Sequence, residues 1–188
     1  MKKIVITGGT HSGKTSIINE LSARGYLTLS EVSMQVVKES IEKIGIERHK
    51  KRMFEDINWF ALEVAKRQIK AELEVDKTEP LIFCDRGLHD CISFCGLMDS
   101  EPSKELLDLV KNHTPYDFVF YCESLPDFNP RPETGRITTK EMSLKMGKLI
   151  KKVYLDHTYQ LIPIKRDSAK KRVDFILSSL KNIPKPLF

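Results

Sequence analysis

Gly8-Gly9-Thr10-His11-Ser12-Gly13-Lys14-Thr15 lies between a short apolar run, Ile4 to Thr7, and a stretch with apolar residues at helical spacing, Ile17, Ile18 and Leu21. The pattern is G-x-x-x-x-G-K-[ST], and its chemistry explains its spacing. Glycines let the chain wrap so that successive backbone N–H groups face phosphate oxygens. A helix starting at the end of the loop adds the positive end of its dipole. Lys14 has the reach for β- and γ-phosphates, and the Thr15 hydroxyl suits Mg²⁺. The segment Gly8, Gly9, Thr10, His11, Ser12, Gly13, Lys14, Thr15 and Ser16 is therefore read as a phosphate-binding loop for ATP or GTP with Mg²⁺. The alternative is a glycine-rich turn with an unrelated lysine. It leaves the strand before and the helix after unexplained.

Outward from the loop, apolar runs alternate with helical periodicity. Gly25 stops the first helix, and Tyr26 to Ser30 reads as a second strand. Val32 to Ile44 is helical with Gly45 as its stop, and Phe54 to Val75 reads as one long helix. Pro80 introduces a third strand, Leu81 to Cys84. Helices are predicted over Gly87 to Leu97 and Lys104 to Asn112, then a fourth strand over Asp117 to Tyr121. Ser124 to Gly135 holds three prolines without periodicity and reads as a loop. Lys140 to His157 is helical, Gln160 to Ile164 is a fifth strand, and Ser168 to Leu180 closes the chain as a helix. Strands alternating with helices predict an α/β fold with a parallel sheet, formed by a single domain over residues 1–188.

Composition narrows the function. The 188 residues suit one domain with a sizeable core. Thirty-one Lys and Arg against 26 Asp and Glu give a net charge of +5, compatible with a polyanionic small ligand. There is no array of basic and aromatic residues, so nucleic acid is not an expected partner. Cys84, Cys91, Cys95 and Cys122 show no zinc-binding spacing and sit in apolar contexts. They read as buried thiols of a cytoplasmic protein. No run approaches the length of a membrane span.

The third strand ends in Cys84-Asp85-Arg86-Gly87. Ligands of α/β sheets sit beyond the carboxyl ends of the strands, so Asp85 is predicted near the phosphate loop as a holder of Mg²⁺. Arg86 suits an anionic or hydroxyl-bearing second substrate. The alternative is an acid capping the next helix with Arg86 as its ion pair. Trp59 and Phe60 offer aromatic faces, and Gln68 an amide, for an acceptor pocket; core packing competes for the two aromatics.

With these pieces the chain resembles the P-loop ATPase and kinase-like family that includes the ribosylnicotinamide kinase domain of bacterial NAD-metabolism regulators. Matching segments run through nearly the whole chain. They are the GGTHSGKTS loop, Arg24-Gly25-Tyr26 leading to Glu31, Trp59 and Gln68, and Cys84-Asp85-Arg86-Gly87. Glu133-Thr134-Gly135-Arg136, Val153-Tyr154 and Lys171-Arg172-Val173-Asp174-Phe175-Ile176-Leu177 complete the set. Family members often carry Asp where this chain has Glu133. The resemblance implies a five-stranded parallel sheet with helices on both faces and a lid-like loop over 125–140. It implies that Glu31, just past the second strand, holds or deprotonates an acceptor hydroxyl; a helix N-terminal acid is the alternative. It places Arg131 and Arg136 in a lid that neutralises charge on the transferred group, and Arg172 with the nucleotide-binding set. Together these features predict a kinase that passes the γ-phosphate of ATP to a nucleoside- or nucleotide-like small molecule. A nucleotide-binding switch or a plain ATPase is the second reading. The guanine-reading N-K-x-D motif is missing. His11 belongs to the loop; His49, His89, His113 and His157 show no ligand spacing.

Overall fold

Strand alternation explains how the sheet separates two cores. The computed structural model describes residues 1–75, 78–124 and 139–182. Five strands, β1 (Lys2–Gly8), β2 (Leu27–Leu29), β3 (Leu81–Asp85), β4 (Phe118–Cys122) and β5 (Leu161–Ile164), form one parallel sheet in the order β2-β3-β1-β4-β5. Ile4 and Ile6 face one side with Phe83, Phe118, Phe120 and Cys122, whereas Val5 faces the other with Ile82, Cys84 and Val119. Side chains that alternate along a strand give each face an apolar layer to bury. The first layer is covered by α1 (Lys14–Ala23) and α8 (Ala169–Asn182), through Ile17, Leu21, Val173 and Ile176. The second is covered by α2 (Val32–Ile44), α3 (Ile46–Glu55), α4 (Ile57–Glu74), α5 (Asp90–Leu97), α6 (Lys104–Asn112) and α7 (Lys140–Asp156). All four cysteines are buried free thiols. Among the described residues no helix is long and apolar enough to cross a membrane.

Two elements depart from the sequence reading. The long helix expected from Phe54 is interrupted at Asp56, whose backbone leaves the helical region at φ −145°, ψ 69°. Its carboxylate accepts from the Trp59 amide at 3.0 Å and caps α4, while the preceding basic stretch forms α3. The helix expected from Gly87 starts at Asp90. Arg86 takes a left-handed φ of 76°, and a Cβ at position 87 would lie 2.5 Å from the Tyr154 hydroxyl oxygen. The chain therefore crosses over Val5 before it coils. The lid-like loop predicted over 125–140, with Arg131 and Arg136, lies outside the described residues up to position 138. Thr139 and Lys140 begin α7, where the Thr139 hydroxyl accepts from the Met142 amide.

Candidate active site

β1 has β3 on one side and β4 on the other, and α1, which follows β1, covers one face of the sheet while α5, which follows β3, covers the other. The crevice at the carboxyl end of β1 is where an open α/β sheet places its ligand. Residues 8–15 fill it. Gly13 holds a φ of 80° at the start of α1 and offers no side-chain cap, so no side chain claims the first amides of the helix. Neighbouring elements fix the loop's shape. Ser143 of α7 donates to the Thr10 carbonyl at 2.6 Å, and Arg172 of α8 donates to the Ser12 carbonyl at 3.0 Å. Arg172 is itself buried, and its Nε has no hydrogen-bond partner among the described residues.

Lys14 is buried, and its ammonium donates to the Gly9 carbonyl at 2.7 Å and the Ser12 hydroxyl at 3.2 Å. Burial, and then the nearby Arg86 guanidinium, lower its pKa to about 8. A lysine held this way gains from an arriving polyanion.

Asp85 closes the loop from the β3 side. Its Oδ2 accepts from the Thr15 hydroxyl at 3.1 Å, and its Oδ1 is buried without a partner among the described residues. Burial pushes the carboxyl pKa up, and Lys14 opposes that shift. A desolvated carboxylate oxygen beside a hydroxyl fits Mg²⁺, which takes one or two protein oxygens and completes its shell with phosphate and water. No cluster of three His, Cys, Asp or Glu able to hold a metal occurs among the described residues. Asp85 does not cap α5, so the capping alternative does not describe it.

Arg86 does not pair with Asp85. Its Nε donates to Glu31 Oε1 at 3.0 Å, and its Nη1 donates to Asp90 Oδ2 at 2.9 Å and to the Gly8 carbonyl at 3.2 Å. The two carboxylates and Asp85 hold the guanidinium charged against the cost of its burial. Asp90 also accepts from the Thr7 hydroxyl, at 2.9 and 2.8 Å to its two oxygens. The sequence reading missed Asp90, although its position four residues after Arg86 was a legible ion-pair spacing. Glu31 precedes α2 but makes no side-chain cap there; it accepts from the Ser33 hydroxyl at 2.6 Å.

Beside Glu31 and Arg86 opens a cavity of about 80 Å³. Thr10, Ser33, Phe60, Phe94, His49 and four methionines are among the residues lining it. Phe60 both packs into the core and lines the cavity, whereas Trp59 and Gln68 do not line it. Trp59 turns to a separate depression, where the Arg52 guanidinium lies 3.5 Å from its ring centroid. The Gln68 amide donates to Glu72 at 2.9 Å, and its residue borders a smaller void behind Asp85 and Arg86. His49 is the residue the sequence reading overlooked. Its signal was its place on the stripe Ile46, His49, Met53 of an otherwise basic helix.

The fold that carries this site is shared with known proteins. A family model for the AAA domain matches residues 3–172. No curated protein sequence matches the chain. Among solved structures, deoxyadenosine kinase from M. mycoides, with the products dCMP and a flexible dCDP bound, aligns with a TM-score of 0.67 at 19% identity, covering 96% of this chain and 100% of that one. NadR protein in complex with NAD and AMP-PNP aligns with a TM-score of 0.67 at 12% identity, covering 100% of this chain and 51% of that one. This chain therefore spans about half the length of NadR. Thymidylate kinase from Candida albicans aligns with a TM-score of 0.62 at 10% identity, covering 96% of this chain and 91% of that one. At such identities the likenesses establish the fold, a P-loop sheet of the nucleoside- and nucleotide-kinase type. With residues 3–172 matched by its model, the chain belongs to the AAA domain family.

Proposed function

We propose that this protein is an ATP-dependent kinase of a small nucleoside- or nucleotide-like acceptor. The observation that carries the reading is the meeting of Glu31 and Arg86, from the ends of two different strands, between the phosphate loop and a largely apolar cavity. A plain ATPase or a switch has no use for a second cavity whose mouth is a carboxylate. The solved kinases of the same fold act on nucleosides and nucleotides, and the NadR structure holds AMP-PNP.

The chemistry follows from the residues. The phosphate loop and Lys14 hold the β- and γ-phosphates, and Thr15 and Asp85 hold Mg²⁺. The ion neutralises charge on the phosphate oxygens when bound. Glu31, fixed by Ser33 and Arg86, accepts the proton of the acceptor hydroxyl. The hydroxyl oxygen then bonds to the γ-phosphorus as the bond to the β-phosphate oxygen breaks, giving ADP and a phosphorylated acceptor. Arg136 and Arg131, from the loop after β4, are proposed to stabilise the transferring group. ADP release in a coupled assay against nucleosides, nucleotides and vitamins tests the reading. Acceptor-stimulated turnover supports it, whereas tight MgATP binding that no acceptor stimulates points to the switch.

A further inference from the structure

The acceptor cavity is lined mostly by apolar residues, with Thr10, Glu31, Ser33, Arg86 and His49 as its polar lining. Met34, Met53, Met98 and Met146 adapt to the shape of what they touch, and Phe60 and Phe94 stand with ring centroids 5.5 Å apart. Away from Glu31, Arg86 and the Ser33 hydroxyl that donates to Glu31, Thr10 and the imidazole of His49 supply the polarity. His49 is only 1% exposed, and its Nδ1 lies 3.0 Å from the Ser40 hydroxyl of α2. This hydrogen bond fixes the orientation of the ring, because the Ser40 hydroxyl can serve Nδ1 as donor or as acceptor. A buried imidazole oriented in a largely apolar wall is a built polar contact.

Charge around the cavity is equally informative. The cation at its mouth, Arg86, is already matched by Glu31 and Asp90. Beyond the mouth no carboxylate lines the cavity. Burial, and then the Arg52 guanidinium, lower the His49 pKa, so the ring stays neutral. The ring face best suited to a cation, that of Trp59, lies in a different depression under Arg52.

We infer that His49 is the specificity-determining residue for the acceptor, and that its imidazole hydrogen-bonds to a polar atom of an uncharged heteroaromatic ring. A cationic ring such as the pyridinium of ribosylnicotinamide is excluded by the same surroundings. This inference rests on the kinase reading above, and it adds a ring chemistry that a kinase of either type would otherwise leave open.

The test is steady-state ADP release with thymidine, deoxycytidine, deoxyadenosine, deoxyguanosine and ribosylnicotinamide as probes. Wild type is compared with His49→Leu and His49→Gln, and MgATP affinity is measured alongside as the control for folding. At least one uncharged nucleoside should stimulate turnover, and ribosylnicotinamide should not. His49→Leu should raise KM for that nucleoside about 10-fold, the worth of one buried hydrogen bond, with kcat and MgATP affinity nearly unchanged. His49→Gln keeps an N–H donor and should recover part of the loss. Preferential turnover of ribosylnicotinamide, or an unchanged KM in His49→Leu, overturns the inference while leaving the kinase standing. A wild type that binds MgATP but responds to none of the probes, nor to the wider acceptor panel, removes the kinase reading and the inference with it.

Discussion

Two buried clusters of charge in this molecule are built on opposite plans. Around Glu72 of α4 the carboxylate is saturated. Oε2 accepts from Lys3 at 2.9 Å and pairs with His113 at 2.9 Å, and Oε1 accepts from Gln68 at 2.9 Å and Tyr116 at 2.8 Å. Burial alone would push Glu72 up, but His113, Gln68 and Lys3 hold its pKa at about 2. Around the phosphate loop the satisfaction is partial. Asp85 keeps an orphaned oxygen, Arg172 keeps an orphaned Nε, and Lys14 holds its charge against burial with only neutral oxygens bonded to it. A closed network stabilises the fold, and an open one costs stability until something charged arrives. Burial of charge therefore does not mark a functional site. Incomplete pairing does, when it is concentrated where a sheet receives its ligand.

The sharpest way to break the closed cluster is Glu72→Leu. It strips four donors of their acceptor, including the fully enclosed Tyr116 hydroxyl. Removing one side of a buried ionic network costs about 3–5 kcal/mol, and urea denaturation should show a loss of that order. Affinity for MgATP at a temperature where the variant is folded should not change. The acid limb sharpens the point. A folded pKa of about 2 against an ordinary value of 4.5 means that Glu72 contributes stability above pH 4.5, lost as pH falls toward 2. The variant should lack that share of the pH dependence.

Lys14→Ala is the opposite experiment. It removes an ammonium whose burial costs stability, so the fold should change by about 1 kcal/mol or less, while MgATP affinity should fall about 100-fold, near 2.7 kcal/mol. Calorimetry on the purified variant measures both. Wild-type affinity would deny the loop its phosphate. Asp85→Asn should act more narrowly. It should weaken binding about 10-fold in the presence of Mg²⁺ and little in EDTA, because only the metal's charge partner has gone. Equal losses under the two conditions would return Asp85 to a structural role.

The open cluster was the more legible in sequence, and the comparison shows why. Gly8 to Thr15 and Asp85-Arg86 are contiguous, and their spacing is dictated by phosphate geometry, so a short stretch carries the whole message. The Glu72 network joins residues from β1, α4 and the entry to β4, and nothing local to Lys3 or His113 announces it. Gln68 was misplaced for that reason: its amide was read as facing a ligand, when Glu72 one helical turn away claims it. The α/β alternation and all five strands were visible because a buried parallel sheet requires continuous apolar runs. The division between α3 and α4 was not, because Ile46 to Glu74 reads as nearly continuous helix former, and only the backbone at Asp56 interrupts it. The cavity containing His49 depends on the helix before that break.

The smallest effect expected is also the most specific to an open cluster, a proton taken up when nucleotide binds. In the free protein Lys14 titrates at about 8, lowered by burial and by Arg86 from an ordinary 10.5. The unfolded chain therefore holds this proton more tightly than the folded one between pH 8 and 10.5. The buried ammonium lowers stability in full below pH 8, and the cost disappears as pH rises toward 10.5. A bound polyphosphate reverses the balance, since the ammonium then faces an anion, and its pKa climbs back. Binding at pH 8 should take up about half a proton, and at pH 9 nearly one. Affinity should fall with rising pH over that range. Calorimetry in two buffers of different ionisation enthalpy reads the proton count directly, and Lys14→Ala should abolish it. Glu72→Leu should leave it intact, because no ligand reaches the closed cluster. A wild-type uptake near zero at pH 9 would mean that Lys14 is already paired in the free protein, and the contrast between open and closed clusters would fail at its central residue.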